Sequence, residues 1–189
     1  MNHAYIFLAD GFEETEALAT LDVLRRGGVP AELISVSDQF HVTGTHNMQI
    51  IADTTFNIFC AEAEELDPSD ALVFPGGMPG TKVLAEDEEL MDMMKEHYKW
   101  DGIVAAICAA PGLVASQLEG LEGKKFTCYD GFEEKMLAKG AVYVKAPVVT
   151  DGKLITGRSA AYAIDFGLAI LEKMRGPEKA AEVKAALLL

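Results

Sequence analysis

Much that would announce a function is missing from this chain of 189 residues. It has only three cysteines, at 60, 108 and 128, and no CxxC pair among them. That spacing excludes a disulfide framework or a zinc ribbon, and it suits free thiols in a reducing compartment. Histidine is scarce as well. His3, His41, His46 and His97 make neither HxH nor HExxH, so no metal-ligand spacing is legible and no metal is expected. No apolar run reaches about 18 residues, so no membrane-spanning helix is expected. The opening MNHAYIFLAD lacks a basic leader and a cleavage site, which points to a cytoplasmic protein. Positive charge is in deficit: 16 Lys and Arg face 30 Asp and Glu, for a net charge of −14. Such a surface repels nucleic acid and anionic membranes on average, so neither is an expected partner. Long linkers, low-complexity tracts and internal repeats are absent too, and a single domain over 1–189 is expected.

What the chain does contain is core-forming material in an alternating pattern. Half of its residues are hydrophobic, which excludes disorder. The strand candidates are AYIFLA at 4–9, AELISVS at 31–37, ALVF at 71–74, IVAAI at 103–107 and KKFTC at 124–128, with AVYVK and KLITG as a pair near 141–157. ALVF and IVAAI are apolar throughout, as strands covered on both faces are. Helical spacing of Ala17, Leu18, Leu21 and Leu24 predicts a helix over 13–27. Leu90, Met91, Met94 and Tyr98 predict another over 86–99, in which His97 of KEHYK is expected to be solvated. Ala163, Gly167, Ile170, Leu171 and Met174 predict a third over about 160–174. A last helix starts at Gly176-Pro177, with proline in its first turn. This alternation argues for the α/β class, a mostly parallel sheet between helices, with ligands at the carboxyl ends of the strands. One pentapeptide, DGFEE, occurs twice, at 10–14 and 130–134. Asp10 and Asp130 are expected to cap the helices that follow, with Glu13 and Glu133 completing capping boxes.

Three segments carry candidate chemistry. In IVAAICAAPG, Cys108 closes a strand and precedes a helix start near Ala109–Pro111. Free N–H groups there favour a thiolate, so a pKa below the roughly 8.5 of a free thiol is expected. Ala105, Ala106, Ala109, Ala110 and Gly112 are small, as a sharp strand-turn-helix requires. From these residues alone Cys108 is either a nucleophile or a buried inert thiol. FPGGMPG, at 74–80, follows strand ALVF, and no GK[ST] closes it, so it is not a phosphate loop. It is either an ordinary βα turn or a place where the Gly77 amide joins that of Ala109 to hold an oxyanion. In ADGFEETEALA, Glu16 stands just before the apolar Ala17-Leu18. A carboxylate beside the core is costly unless paired or protonated, so a solvated surface glutamate is the plainer reading. Cys60 reads as inert, and Cys128, ending a strand, is a candidate resolving thiol for Cys108. Arg25-Arg26 either complement the end of the first helix or join an interface.

Taken together, ADGFEETEA, RRGG at 25–28, ALVFPGGMPG, IVAAICAAPG, AIDFGLAI at 163–170 and the KAAEVKAALLL tail resemble the ThiJ/PfpI superfamily, in the branch of the Parkinson-disease protein and its bacterial relatives. The resemblance runs the whole chain. It implies a flavodoxin-like three-layer α/β sandwich of the class I glutamine amidotransferase type, a homodimer, and Cys108 at an elbow. By match to the family's motif, Glu16 is a buried, protonated acid that donates to the sulfur, and Gly77 and Ala109 are backbone donors. The implied activity is stress protection without a cofactor, acting on a small reactive carbonyl or a glycated substrate in the manner of a glyoxalase or deglycase. Two other readings accompany the resemblance. One is an oxidant sensor or redox chaperone working through a Cys108 sulfinate. The other is a cysteine hydrolase, a peptidase, or a thiazole monophosphate (thiamin) biosynthesis protein. Ala109 argues against the peptidase, because peptidases of the superfamily carry histidine there as the base. Tyr129 stands where close relatives have histidine, a weaker base but a usable donor that is expected to orient substrate. GRSAAY at 157–162 keeps Arg158 and changes the turn after it, and His46 replaces an arginine at the rim of the site.

Overall fold

The computed structural model describes residues 2–62 and 66–189. In chain order its first half runs β1 (Ala4–Leu8), α1 (Glu14–Arg26), β2 (Ala31–Ser35), β3 (His41–Thr43), β4 (Gln49–Ile51), β5 (Thr54–Thr55), α2 (Phe56–Glu62), β6 (Ala71–Phe74), α3 (Gly80–Glu86) and α4 (Glu88–Lys99). Its second half runs β7 (Ile103–Ile107), α5 (Ala110–Leu113), β8 (Lys125–Phe126), α6 (Glu134–Ala138), β9 (Val142–Tyr143), β10 (Val148–Asp151), β11 (Leu154–Gly157), α7 (Ala163–Arg175) and α8 (Pro177–Ala186).

Seven strands form the central sheet, in the order β10-β11-β7-β6-β1-β2-β5. All neighbours are parallel except β10 and β11. The central strands are apolar on both faces because both faces are covered. Along β1, Ile6 and Leu8 join the core under α1 and α7, while Phe7 between them joins the core on the opposite side. In β7, Ala105 and Ile107 go to the first core and Val104 and Ala106 to the second. This period of two, apolar in both phases, is what fixes the three layers.

α1 lies against α7, and its Ala17, Val23 and Leu24 are buried. Proline opens α8 in its first turn, as the sequence indicates. Arg25 is spent on local structure: its guanidinium donates to the Ala31 carbonyl and pairs with Asp53 at 2.9 Å.

Several expectations are corrected. KKFTC and AVYVK lie outside the central sheet, since among the described residues β8 and β9 pair only with each other. The antiparallel partner of KLITG is VVTD, β10. His97 is not solvated but 5% exposed. It lies three residues after Met94 and seven after Leu90, on the face of α4 that meets the core, and its Nε2 is 3.1 Å from the Asp70 carbonyl. Burial pushes its pKa down. Neither DGFEE aspartate caps a helix. Each helix begins four residues later, out of an aspartate's reach. Asp10 instead accepts from the Thr43 amide at 2.8 Å, and Glu13 is the cap of α1, accepting from the Glu16 amide at 2.8 Å. Asp130 pairs with Arg158 at 2.7 Å, and Glu133 accepts from the Gly131 amide at 2.7 Å.

Candidate active site

Parallel order brings the carboxyl ends of β1, β6 and β7 side by side. The turns leaving them carry Glu16, Gly76-Gly77 and Cys108. Cys108 has φ = +65°, in the left-handed region that side chains other than glycine rarely occupy. Two backbone bonds hold it there. Its N–H donates to the Gly157 carbonyl at 3.0 Å, and its carbonyl accepts from the Tyr129 N–H at 2.8 Å. A residue held in that region by its surroundings stores strain, which is a common mark of functional elbows.

Glu16 sits in the first turn of α1 and is only 1% exposed. Its Oε2 accepts from the Gly76 amide at 2.7 Å, and a hydrogen bond links the carboxyl to the Cys108 thiol. Oε1 is buried with no N–H or O–H donor of its own among the described residues. Burial pushes the pKa of Glu16 up to about 7, the Gly76 and Cys108 hydrogen bonds pull it down, and the charge of Glu13 adds to the rise. The N–H groups of Ala109 and Gly77 act on the sulfur and pull its pKa down.

The sequence suggested a depressed thiol pKa at a helix N-terminus, and the structure reverses that sign. Burial pushes the Cys108 thiol up, and the Glu16 carboxylate beside it pushes in the same direction, against the two amides. α5 is four residues long, too short to supply much dipole. The site therefore sets a cysteine beside a carboxylic acid, the two competing for a proton.

The PGG turn is glycine for steric reasons. A Cβ on Gly76 would stand 2.5 Å from the Cys108 Cβ and 2.6 Å from Glu16 Oε2. Gly77 has φ = +89°, and a Cβ there would collide with the Glu13 nitrogen and the Gly11 carbonyl. Gly76 was not singled out in the sequence, although its amide holds Glu16. The second glycine of the pair was the available signal.

Tyr129 contributes its backbone to the Cys108 elbow. Its ring is half-exposed and packs edge-on against Phe132, with centroids 6.4 Å apart. Cys128 is fully buried, and its thiol is pushed up to about 12 by burial first and then by the charges of Glu133 and Asp130. Cys60 is partly buried and its pKa is also raised, chiefly by burial. Among the described residues, Glu13, Glu14 and His46 form a cluster of carboxylate and imidazole atoms within 4.8 Å of one another. It is joined internally by a 2.8 Å contact between His46 Nδ1 and Glu14 Oε2.

The model of the DJ-1/PfpI family matches residues 2–173. The chain belongs to the DJ-1/PfpI family. Protein DJ-1 homolog A of Arabidopsis thaliana is 37% identical over 182 residues, which cover 96% of this chain but 45% of that protein. The chain thus spans about half the length of that relative. Protein dj-1beta of Drosophila melanogaster is 32% identical over 186 residues, covering 98% of this chain and 96% of the relative. A Caenorhabditis elegans protein named glutathione-independent glyoxalase DJR-1.2 is 31% identical over 167 residues, 88% of this chain and 85% of its own. Among solved structures, oxidized Toxoplasma gondii DJ-1 superposes with a TM-score of 0.89 at 28% identity, covering 100% of this chain and 98% of that one. Drosophila melanogaster DJ-1beta superposes with a TM-score of 0.87 at 32% identity, covering 100% and 99%. The architecture is the flavodoxin-like α/β fold of this family. No helix among the described residues is long and apolar enough to cross a membrane.

Proposed function

We propose that this family member is a cofactor-free enzyme that acts on 2-oxoaldehydes and related reactive carbonyls through Cys108. The observation that carries the reading is the buried Glu16–Cys108 pair with the Gly77 and Ala109 N–H groups on the sulfur. The Caenorhabditis elegans relative named as a glyoxalase adds support.

In this reading the Glu16 carboxylate takes the thiol proton. Cys108 sulfur then bonds to the aldehyde carbon, and the π pair of the carbonyl moves to its oxygen. The Gly77 and Ala109 amides exchange the sulfur for that oxyanion, and Glu16 returns the proton, giving a neutral hemithioacetal. The C1 proton next moves to C2, and the C1 hydroxyl proton to the C2 oxygen, by way of an enediol with Glu16 as the carrier. Water hydrolyses the resulting thioester to a 2-hydroxy acid and frees the thiol. A base with pKa about 7 is poised for this work near neutrality. Below that pH Glu16 is protonated and cannot accept, so kcat/KM has an acid limb with a midpoint near 7.

The deciding experiment is methylglyoxal turnover by the wild type, Cys108→Ala and Glu16→Gln. Cys108→Ala abolishes it, and Glu16→Gln lowers it by about 100-fold or more and removes the acid limb. Full turnover by Cys108→Ala would end the reading.

One observation favours a second role for the same pair. The buried, donor-free Oε1 of Glu16 can share a proton with an oxygen placed on the sulfur. Peroxide takes a Cys108 thiolate to sulfenate and a second equivalent takes it to sulfinate, releasing one water each time. Protonated Glu16 then donates to the sulfinate, which suits an oxidant sensor. The two roles separate by counting: a sensor reacts once per chain and an enzyme many times. The family resemblance also leads us to propose a homodimer. Met48 and Ile51, large apolar side chains exposed on the β3–β4 hairpin, suit such a contact.

A further inference from the structure

The tip of the β3–β4 hairpin closes over the segment that carries Glu16. The Gly11 amide donates to the Thr43 carbonyl at 2.7 Å, the Thr45 amide to the Phe12 carbonyl at 2.8 Å, and the Thr45 hydroxyl to the Met78 carbonyl at 3.3 Å. A further fastening runs through Glu14 and His46. Glu14 is 1% exposed, and its Oε1 accepts from the His46 amide at 2.7 Å while its Oε2 meets His46 Nδ1 at 2.8 Å. The same Nδ1 lies 3.8 Å from Glu13 Oε1. The other oxygen of Glu13 caps α1 by accepting from the Glu16 amide. One imidazole thus faces two carboxylates, and one of those carboxylates touches the backbone of the reactive acid.

We propose that His46 is a positioning residue whose proton, held between Glu13 and Glu14, sets how strongly Glu16 holds its own. The inference rests on the Glu16–Cys108 pair being the reactive unit. The charge of Glu13 raises the proton affinity of Glu16. A protonated His46 beside Glu13 offsets that charge and frees Glu16 to ionise as the base. When His46 loses its proton, Glu13 acts on the site unopposed and Glu16 keeps its proton longer. Within the chain and among the described residues, the charged groups that face His46 are these two glutamates. Asp10 is engaged with the Thr43 amide, the packed turn PGGMPG at 75–80 carries no ionisable side chain, and the hairpin tip TGTHNMQ carries none besides His46. His46 itself is drawn to higher pKa by its hydrogen bond to Glu14, then by the charges of Glu14 and Glu13. At 66% side-chain exposure it is accessible to solvent protons.

The test reads thiol chemistry rather than turnover. Iodoacetamide modification of Cys108 is followed by mass spectrometry from pH 5 to 9 in the wild type, Glu16→Gln, His46→Gln and His46→Arg. The step that Glu16→Gln removes marks the Glu16 titration. His46→Gln moves that step up by roughly half a pH unit, about threefold in the ratio of protonated to ionised acid. His46→Arg, with its permanent charge, keeps the step at or below the wild-type position. Steps that coincide in the wild type and both His46 variants overturn the inference and leave the reactive pair intact. A wild-type profile that Glu16→Gln does not alter overturns the pair and the inference together. Should His46→Gln loosen the hairpin, carboxyl NMR of Glu16 in the wild type decides: a second inflection at the His46 midpoint is expected, and its absence refutes the coupling.

Discussion

Asp10–Glu14 and Asp130–Glu134 are the same five residues in the same local shape. In each, glycine takes a positive φ, +86° at Gly11 and +96° at Gly131. In each, the phenylalanine N–H closes the turn, Phe12 onto the Ala9 carbonyl at 3.0 Å and Phe132 onto the Tyr129 carbonyl at 3.1 Å. Both helices begin at the second glutamate. There the likeness ends. Phe12 is fully buried and Phe132 half-buried, while Glu14 is buried and Glu134 exposed. The first copy feeds a 13-residue helix packed on α7, and the second feeds a helix of five residues. Six positions after each aspartate a side chain points inward, and it is Glu16 in one copy and Met136 in the other. The turn supplies an inward-facing position, and the residue placed there decides whether the position holds chemistry or core.

The comparison breaks most visibly at the phenylalanines. Phe12→Ala removes a fully buried ring and should cost about 3–5 kcal/mol, while Phe132→Ala should cost less than about half of that. Urea unfolding midpoints with unchanged slopes measure both. Equal losses would mean that the second turn is as deeply anchored as the first, and that burial does not separate the copies.

A graft sharpens it next. Glu16→Met places the residue of the second copy in the first. The folded-state pKa of Glu16, about 7, lies above its unfolded value of 4.5, so the native state holds the proton more tightly. The stability this contributes is fully present below about pH 4.5 and is lost as pH rises to about 7, a change on the order of 3 kcal/mol. The graft removes that loss. The wild type should weaken from pH 5 to 8 while Glu16→Met stays level, gaining on the wild type at alkaline pH and losing carbonyl turnover. A graft that loses stability at every pH would show that Glu16 is held by favourable contacts and not at a cost in burial.

These outcomes bear on what a sequence can disclose. The central strands and the helices over 13–27 and 86–99 were legible, because their apolar periods answer to a core near in space and continuous along the chain. The 86–99 pattern began two residues early, because Glu86 ends a separate helix, α3, and Asp87 caps α4. The β3–β4 hairpin was not legible: its strands have three residues each, too few to show a period. Strand-then-small-residue spacing made Cys108 and the Gly77 turn candidates and left each open between site and plain structure, and only the family resemblance gave Gly77 and Ala109 the part of donors. The burial of Glu16 followed only from the family resemblance, since a glutamate two residues after the Glu13-Glu14 pair reads more plainly as a solvated surface residue. Its partner Gly76 and the Glu13–Glu14–His46 cluster were hidden, being joined by contacts between residues more than 30 positions apart. The DGFEE aspartates misled because a capping motif states a local preference, and a distant partner won in both copies.

The smallest effect tests the second copy alone. Arg158 holds the Asp130 carboxyl below the usual carboxylate range, at an exposed site where solvent screens the pair. Its contribution is present at neutral pH and is lost as pH falls through the lowered value, so Asp130→Asn should lower stability only slightly at neutral pH and not at all in acid. In high salt, which shortens the reach of exposed charges to a few ångström, even that difference should vanish. The informative readout is the Cys108 alkylation profile. Asp130 follows Tyr129, whose amide holds the Cys108 carbonyl, so the second turn borders the elbow through backbone alone. If that is all it does, Asp130→Asn leaves the profile unchanged. A shifted midpoint would put the Asp130–Arg158 pair into the electrostatics of the site, and the second DGFEE would then share in the chemistry it otherwise only supports.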